Sequence, residues 1–484
     1  MLLNRRTVIT SALATAAAGL LRTPTFAAET PATVLRLQRR EIDMNGKSAS
    51  VYRIAQPNGV SGLTTGIGER FRVRVENQID KPSLIHWHGL TPPWQQDGVP
   101  GISSPAIPPG GSADYDFSLN FGGTFWMHSH QGFQEQLLMT APLIIHDQRD
   151  TKDQQEVVLM LHDFSFKSPE EIYASLRKPG NMSGMAMRGM DMSGMDMKDM
   201  STPGMQMGKT GAHAVPDLND VTYDAFLAND RTLADPEVIK VEPGGRVLLR
   251  VINGSSMSNF HLDLGALSGK LIAVDGLRIQ PVSGQRFPIA VAQRLDIELT
   301  IPAGAAAHPV LAILEGAAKQ TGIVLSAGAA TVSRIPDQAA QPSPALTLDL
   351  ERNLKALDPL APRKPDRVHT INLTGDMATY VWSINGVPWT KDVPPLAIAQ
   401  GERVELIIIN KNPMPHPMHL HGHPFQVVEI DGQRFSGAKR DTVLVPENGR
   451  VVVAFDANNP GWWAFHCHLL YHMAAGMFTT LRYV

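Results

Sequence analysis

The chain has 484 residues, a formal net charge of −3, 43% hydrophobic and 18% charged residues. That balance excludes a polybasic binder of nucleic acid or anionic membrane and fits a soluble protein of roughly three domains. Gly 41 and Pro 36 suit many strands joined by turns, and a single cysteine excludes an internal disulfide.

The N-terminus reads as a targeting segment. Asn4-Arg5-Arg6-Thr7-Val8-Ile9 is a twin-arginine start, an apolar run follows from Ser11 to Leu21, and Thr25-Phe26-Ala27 offers small residues at a cleavage site. The expectation is a signal peptide over 1–27, export of the folded chain to a bacterial periplasm, and no stable membrane insertion, because the run is too short to span a bilayer.

From 32 to 150 short apolar runs alternate with turns, as in Phe71-Arg72-Val73-Arg74-Val75. Such alternation reads as half-buried strands. This stretch carries His86-Trp87-His88-Gly89, then Asp97-Gly98-Val99-Pro100-Gly101, then His128-Ser129-His130 followed by Gln134-Glu135-Gln136. Strand-like runs continue over 155–335 without a His-x-His pair. Within them, 180–211 is of low complexity, with ten methionines between Met182 and Met207 out of 21 in the chain. Met182, Met185, Met187 and Met190 recur ten residues later as Met192, Met195, Met197 and Met200, with Gly, Ser and Asp between. Such a composition builds no core, and thioethers select Cu(I). Residues 337–345 read as a linker.

The runs resume over 345–484, with His416-Pro417-Met418-His419-Leu420-His421 and His466-Cys467-His468, then His472 and Met477. In a strand, i and i+2 share a face. Each of the four His-x-His pairs therefore offers two imidazoles in one direction, and eight imidazoles exceed the need of one mononuclear site. Cys467 has the opposite parity to its flanking histidines, and His416 the opposite parity to His419 and His421, although Pro417 is a potential break in the pleat. One short segment thus touches two metal sites. Thiolate, imidazole and a distant thioether suit a blue-copper centre, and the paired imidazoles suit a cluster of three coppers.

An echo joins the regions: Gly68-Glu69-Arg70 to Asn77, Gly244-Gly245-Arg246 to Asn253, and Gly401-Glu402-Arg403 to Asn410 each run Gly, Arg, strand, Asn. Self-similarity at this spacing predicts an all-β chain of three Greek-key β-sandwich domains. Histidine pairs in the first and third copies place the cluster between them and leave the middle copy as a spacer.

The four histidine stretches resemble the copper-ligand motifs of the multicopper oxidases. The wording around them (Asp97 to Gly101, Gln134-Glu135-Gln136, the Met-rich insert) is most similar to the periplasmic copper-resistance, CopA-like branch. The resemblance runs from about residue 35 to the C-terminus and implies cupredoxin domains and four coppers per chain. It implies a type 1 copper on His416, Cys467 and His472 with Met477 axial, and a type 2 copper on His86 and His419. One type 3 copper falls to His88, His128 and His468, and the other to His130, His421 and His466. Asp97 matches the family's cluster acid. Some relatives carry a carboxylate just after the last type 1 histidine, where this chain has Met473-Ala474-Ala475; Glu135 or a water chain is the substitute. The remaining His146, His162, His213, His261, His308, His369 and His423 lack partners at ligand spacing and read as loop or packing residues.

The function expected is one-electron oxidation of a reductant, with Cu(I) foremost, coupled to reduction of O2 to water. The alternatives are a laccase-like oxidase of small phenols and a copper-sequestering protein.

Overall fold

A computed structural model of the chain describes residues 32–147, 153–178 and 218–484. The signal peptide, the Met-rich insert and His213 lie outside the described residues.

Among the described residues, six sheets pair into three sandwiches. The first joins the order Lys47–Ala55, Thr33–Met44, Arg70–Asn77, Ser112–Ser118 to the order Leu63–Gly66, Thr140–His146, Gly123–Ser129, Ile85–His88. The middle sandwich has six strands, from Gln155–Phe164 to Arg294–Thr300 and its neighbours, facing five that centre on Ala306–Leu314. The third has seven strands around Arg403–Asn410 facing five, with Trp462–Cys467 at the centre between Phe478–Tyr483 and His416–Leu420. This is the all-β, three-cupredoxin-like Greek-key architecture.

The repeated Gly-Arg-strand-Asn stretches occupy one topological place. Arg70–Asn77, Arg246–Asn253 and Arg403–Asn410 each pair parallel with the first long strand of their unit, Thr33–Met44, Gln155–Phe164 and Arg367–Asp376. Each closing asparagine is buried. Its Oδ1 accepts the backbone N–H two residues on, from Ile79 (3.1 Å), Ser255 (3.2 Å) and Asn412 (2.9 Å). Its Nδ2 donates to carbonyls across the turn, such as Ile107, Ser258 and Met414. One amide side chain thus satisfies backbone groups that the ended ladder leaves open.

Burial separates the copies. Arg70–Asn77 alternates buried and open positions, whereas Arg246–Asn253 is buried at all but its first residue. The second face of that strand lies against the first sandwich, where Arg250 Nη1 donates to Thr124 Oγ1 (3.1 Å). The segment read as a linker also packs down: Ser343 Oγ donates to the Leu314 carbonyl (2.6 Å). Among the described residues no helix is long and apolar enough to cross a membrane.

Candidate metal centres

Two strand pairs carry the histidines. Ile85–His88 runs antiparallel to Gly123–Ser129 with His86 opposite His128. His416–Leu420 runs antiparallel to Trp462–Cys467 with His419 opposite His466 and Met418 opposite Cys467. Pro417 does not break the pleat: it is paired with Leu444 within the strand. His130, His421 and His468 follow one residue beyond their strands, and His472 lies on the short helix Leu470–Ala474.

The structure brings all four histidine pairs together where the first and third sandwiches meet. Nitrogens within 4.8 Å of one another form the groups His86–His88–His419, His88–His128–His468 and His130–His421–His466. His419 Nε2 is 3.5 Å from His86 Nε2, and His466 Nε2 is 3.0 Å from His421 Nε2 and 3.4 Å from His130 Nε2. Separately, Cys467 Sγ lies 3.5 Å from His416 Nδ1 and 3.9 Å from His472 Nδ1. Met477 is buried beside this group, and its carbonyl accepts the Cys467 N–H (3.0 Å).

These groups fit a metal. All ten imidazoles are at least nine-tenths buried. Burial, reinforced by neighbouring imidazoles, holds His88, His128, His416, His421, His466 and His468 well below the usual histidine range. His130 is held down to about 3 by the same causes. These seven rings are therefore neutral, with lone pairs to give. Yet His88 Nδ1, His128 Nε2 and His468 Nε2 are buried without a partner, a costly state that a cation relieves. Burial likewise pushes the Cys467 thiol up, so its thiolate needs a cation beside it. The donor sets suit type 1, type 2 and type 3 copper.

Carboxylates orient the rings from behind. Asp97 Oδ2 takes a hydrogen bond from His421 Nδ1 (2.8 Å), and the Asp97 carbonyl takes one from His86 Nδ1 (2.8 Å). Gly98 is required next to it: at φ +85°, a Cβ there would lie 2.0 Å from the Ile85 carbonyl oxygen. Glu135 Oε2 is 2.7 Å from His128 Nδ1, and burial, with Asp163 nearby, pushes this carboxyl well above its usual range. No acid follows His472; Met473 is half-buried there.

Residues that carried no sequence signal complete the sites. Asp220, wholly buried, accepts from His472 Nε2 (2.7 Å) and from the Tyr380 hydroxyl (2.6 Å). Trp382 stacks on His472, with centroids 4.1 Å apart. Asp441 lies against His88 and His419 (3.0 Å from Oδ1 to His88 Nε2; 2.9 Å from its carbonyl to His419 Nδ1). Asp220 belongs to the middle region, so that region is more than the spacer expected. Its loop position beside a polar stretch and the absence of any motif made Asp220 illegible. Several of the histidines read as packing residues find ordinary partners, His146 with Glu156, His162 with Thr140 and His423 with Tyr483, whereas His308 Nε2 is buried without one.

Three family models, each described as multicopper oxidase, match residues 38–150, 156–324 and 362–484. The chain is similar to the multicopper oxidase MmcO of Mycobacterium tuberculosis, 30% identical over 94% of this chain and 87% of the relative. It is also similar to a copper resistance protein A homolog of Pseudomonas syringae pv. tomato, 27% identical over 96% of each. Among solved structures, a multi-copper oxidase of Pseudomonas thermotolerans matches with TM-score 0.69 at 20% identity, over 94% of this chain and 99% of that one. A laccase of Botrytis aclada matches with TM-score 0.74 at 20% identity, over 93% and 88%.

Proposed function

The chain belongs to the multicopper oxidase family, and on that premise we propose that it is a cuprous oxidase serving copper tolerance. Copper, when bound, supplies four one-electron centres, the number needed to reduce O2 to water. His416, Cys467 and His472, with Met477 beside them, would hold the type 1 ion, and His86 and His419 the type 2 ion. His88, His128 and His468 would hold one type 3 ion, and His130, His421 and His466 the other.

The chain's own residues divide the remaining work. Cys467 is bonded through the backbone to His466 and His468, so a covalent path of a few residues joins the thiol to two cluster imidazoles. Burial of the whole cluster excludes bulk water, which strengthens each orienting hydrogen bond. Asp97, Glu135 and Asp441 all lie against cluster imidazoles, and we assign proton supply to Asp97 and Glu135 in place of the acid missing beside His472.

The observation that carries the cuprous reading is Asp220. This carboxylate follows the Met-rich insert by thirteen residues from Met207 and bonds directly to the outer nitrogen of His472. Soft thioethers, which would collect Cu(I), are thereby a short run of chain from a ring that would hold the type 1 ion. The copper resistance protein A relatives support the same role, and the twin-arginine start supports export to the periplasm. Oxygen uptake with Cu(I) and with a small phenol, in the full chain and in one lacking 182–207, tests it. Loss of the Cu(I) rate with the phenol rate retained is expected. Equal Cu(I) rates in both chains would overturn the cuprous reading and leave a phenol oxidase; uptake with neither donor would leave a sequestering protein.

A further inference from the structure

Arg294, from the middle sandwich, is fully buried behind the cluster. All five of its N–H donors are used. Nε donates to the Thr124 carbonyl (3.2 Å), Nη1 to the Ala292 carbonyl (3.0 Å) and Asp441 Oδ1 (2.8 Å), and Nη2 to the Asp275 carbonyl (3.0 Å) and Asp441 Oδ2. One guanidinium therefore ties together the first, middle and third sandwiches, and its paired grip on Asp441 leaves that carboxylate one orientation.

Asp441 in turn meets His88 by an unusual nitrogen. His86, His128, His419, His421 and His466 contact their outer partners through Nδ1. His88 contacts Asp441 through Nε2 (3.0 Å), and its buried Nδ1 is left without a partner. A carboxylate accepts only, so it holds the proton on Nε2 and frees the lone pair on Nδ1. Gly89 makes room for this: its φ is +88°, and a Cβ there would lie 2.5 Å from Arg294 Nη2 and 2.7 Å from Asp441 Oδ2.

We propose that Arg294 is a positioning residue of the oxygen-reducing centre: by clamping Asp441 it sets the His88 ring with Nδ1 toward the metal. The inference rests on the ligand role assigned to His88 above. Lysine cannot replace it, because three donors on a point charge cannot hold both Asp441 oxygens and three carbonyls at once.

The test compares Arg294→Lys and Asp441→Asn with Arg250→Lys. Arg250 is also buried and also reaches Thr124 from the middle sandwich, and its guanidinium donates to Asp296 and Glu156, not to Asp441. The readouts are copper per chain, chelator competition for cluster copper, the paramagnetic resonance of the type 2 ion, and unfolding of the copper-free chain. Arg294→Lys is expected to weaken copper retention at the cluster by roughly 10- to 100-fold. The blue absorption of the type 1 site should stay unchanged, and Arg250→Lys should lower unfolding temperature alone. Asp441→Asn, nearly isosteric, should repeat the cluster defect, and it carries the test should the lysine variant fail to fold. Wild-type retention and an unchanged type 2 signal in the variant that folds, or a loss equal to that of Arg250→Lys, would overturn the inference. A parent chain that holds no copper beyond the type 1 ion would instead overturn the site reading on which it rests.

Discussion

The chemistry of the centre depends on a balance of protons at single rings. His88, His128, His416, His421, His466 and His468 have folded values depressed from an ordinary 6.5, burial being the first cause. A depressed group contributes stability that is present above its unfolded value and lost as pH falls through the folded one. The copper-free chain is therefore expected to be stable at neutral pH and to lose stability steadily as pH drops below about 6.5. Urea titrations of chelated protein at several pH values check this; a flat stability between neutral pH and about 5 would contradict it. Glu135 has the opposite sign, its carboxyl raised by burial, and its contribution fades as pH rises through that raised value. Eight ring positions were legible from i, i+2 spacing, and His416 and His472 from their places near His419 and Cys467. The nitrogen each ring turns inward was not, because that depends on partners such as Asp97 and Asp441, which lie 324 and 353 residues away from His421 and His88.

At the level of elements, parity in short strands does the sorting. Cys467 and His416 turn to one face and their histidine neighbours to the other, which is why one strand pair serves both centres. The repeated asparagine closes the equivalent strand in each sandwich. Asn410 is the fullest example, with Nδ2 shared among the Met414, Val445 and Pro446 carbonyls. Asn410→Ala leaves these buried groups unpaired and is expected to cost about 1–3 kcal/mol, read by thermal unfolding. A comparable loss at Asn77 and Asn253 would show that the echo in the sequence is an energetic repeat, not only a topological one. The echo was visible because a strand and its closing turn are local; the second buried face of Arg246–Asn253 was not, since it is made by contact with another sandwich.

At the scale of the molecule, the cluster is a joint. Its rings come from the first and third sandwiches, with His86 against His419 and His130 against His466. Copper held by both sides binds the assembled state alone, so it stabilises by mass action, about 2.7 kcal/mol for each site at a hundredfold excess over its dissociation constant. Loading the cluster is expected to raise the unfolding temperature of the whole chain. Calorimetry of copper-free and copper-loaded protein measures it, and identical transitions would mean that the sandwiches dock without help from metal. The middle sandwich takes part through Asp220 at one centre and Arg294 behind the other.

By itself the sequence determined the all-β repeat, the ligand residue types, and the face each turns to, since these follow from two-residue periodicity and the chemistry of thiol, thioether and imidazole. Only the tertiary structure decided the ring tautomers, the seat of Glu135 against His128, and the reach of the middle sandwich into both centres. Contacts between residues hundreds of positions apart are set by how the sandwiches dock, and docking leaves no period in the chain.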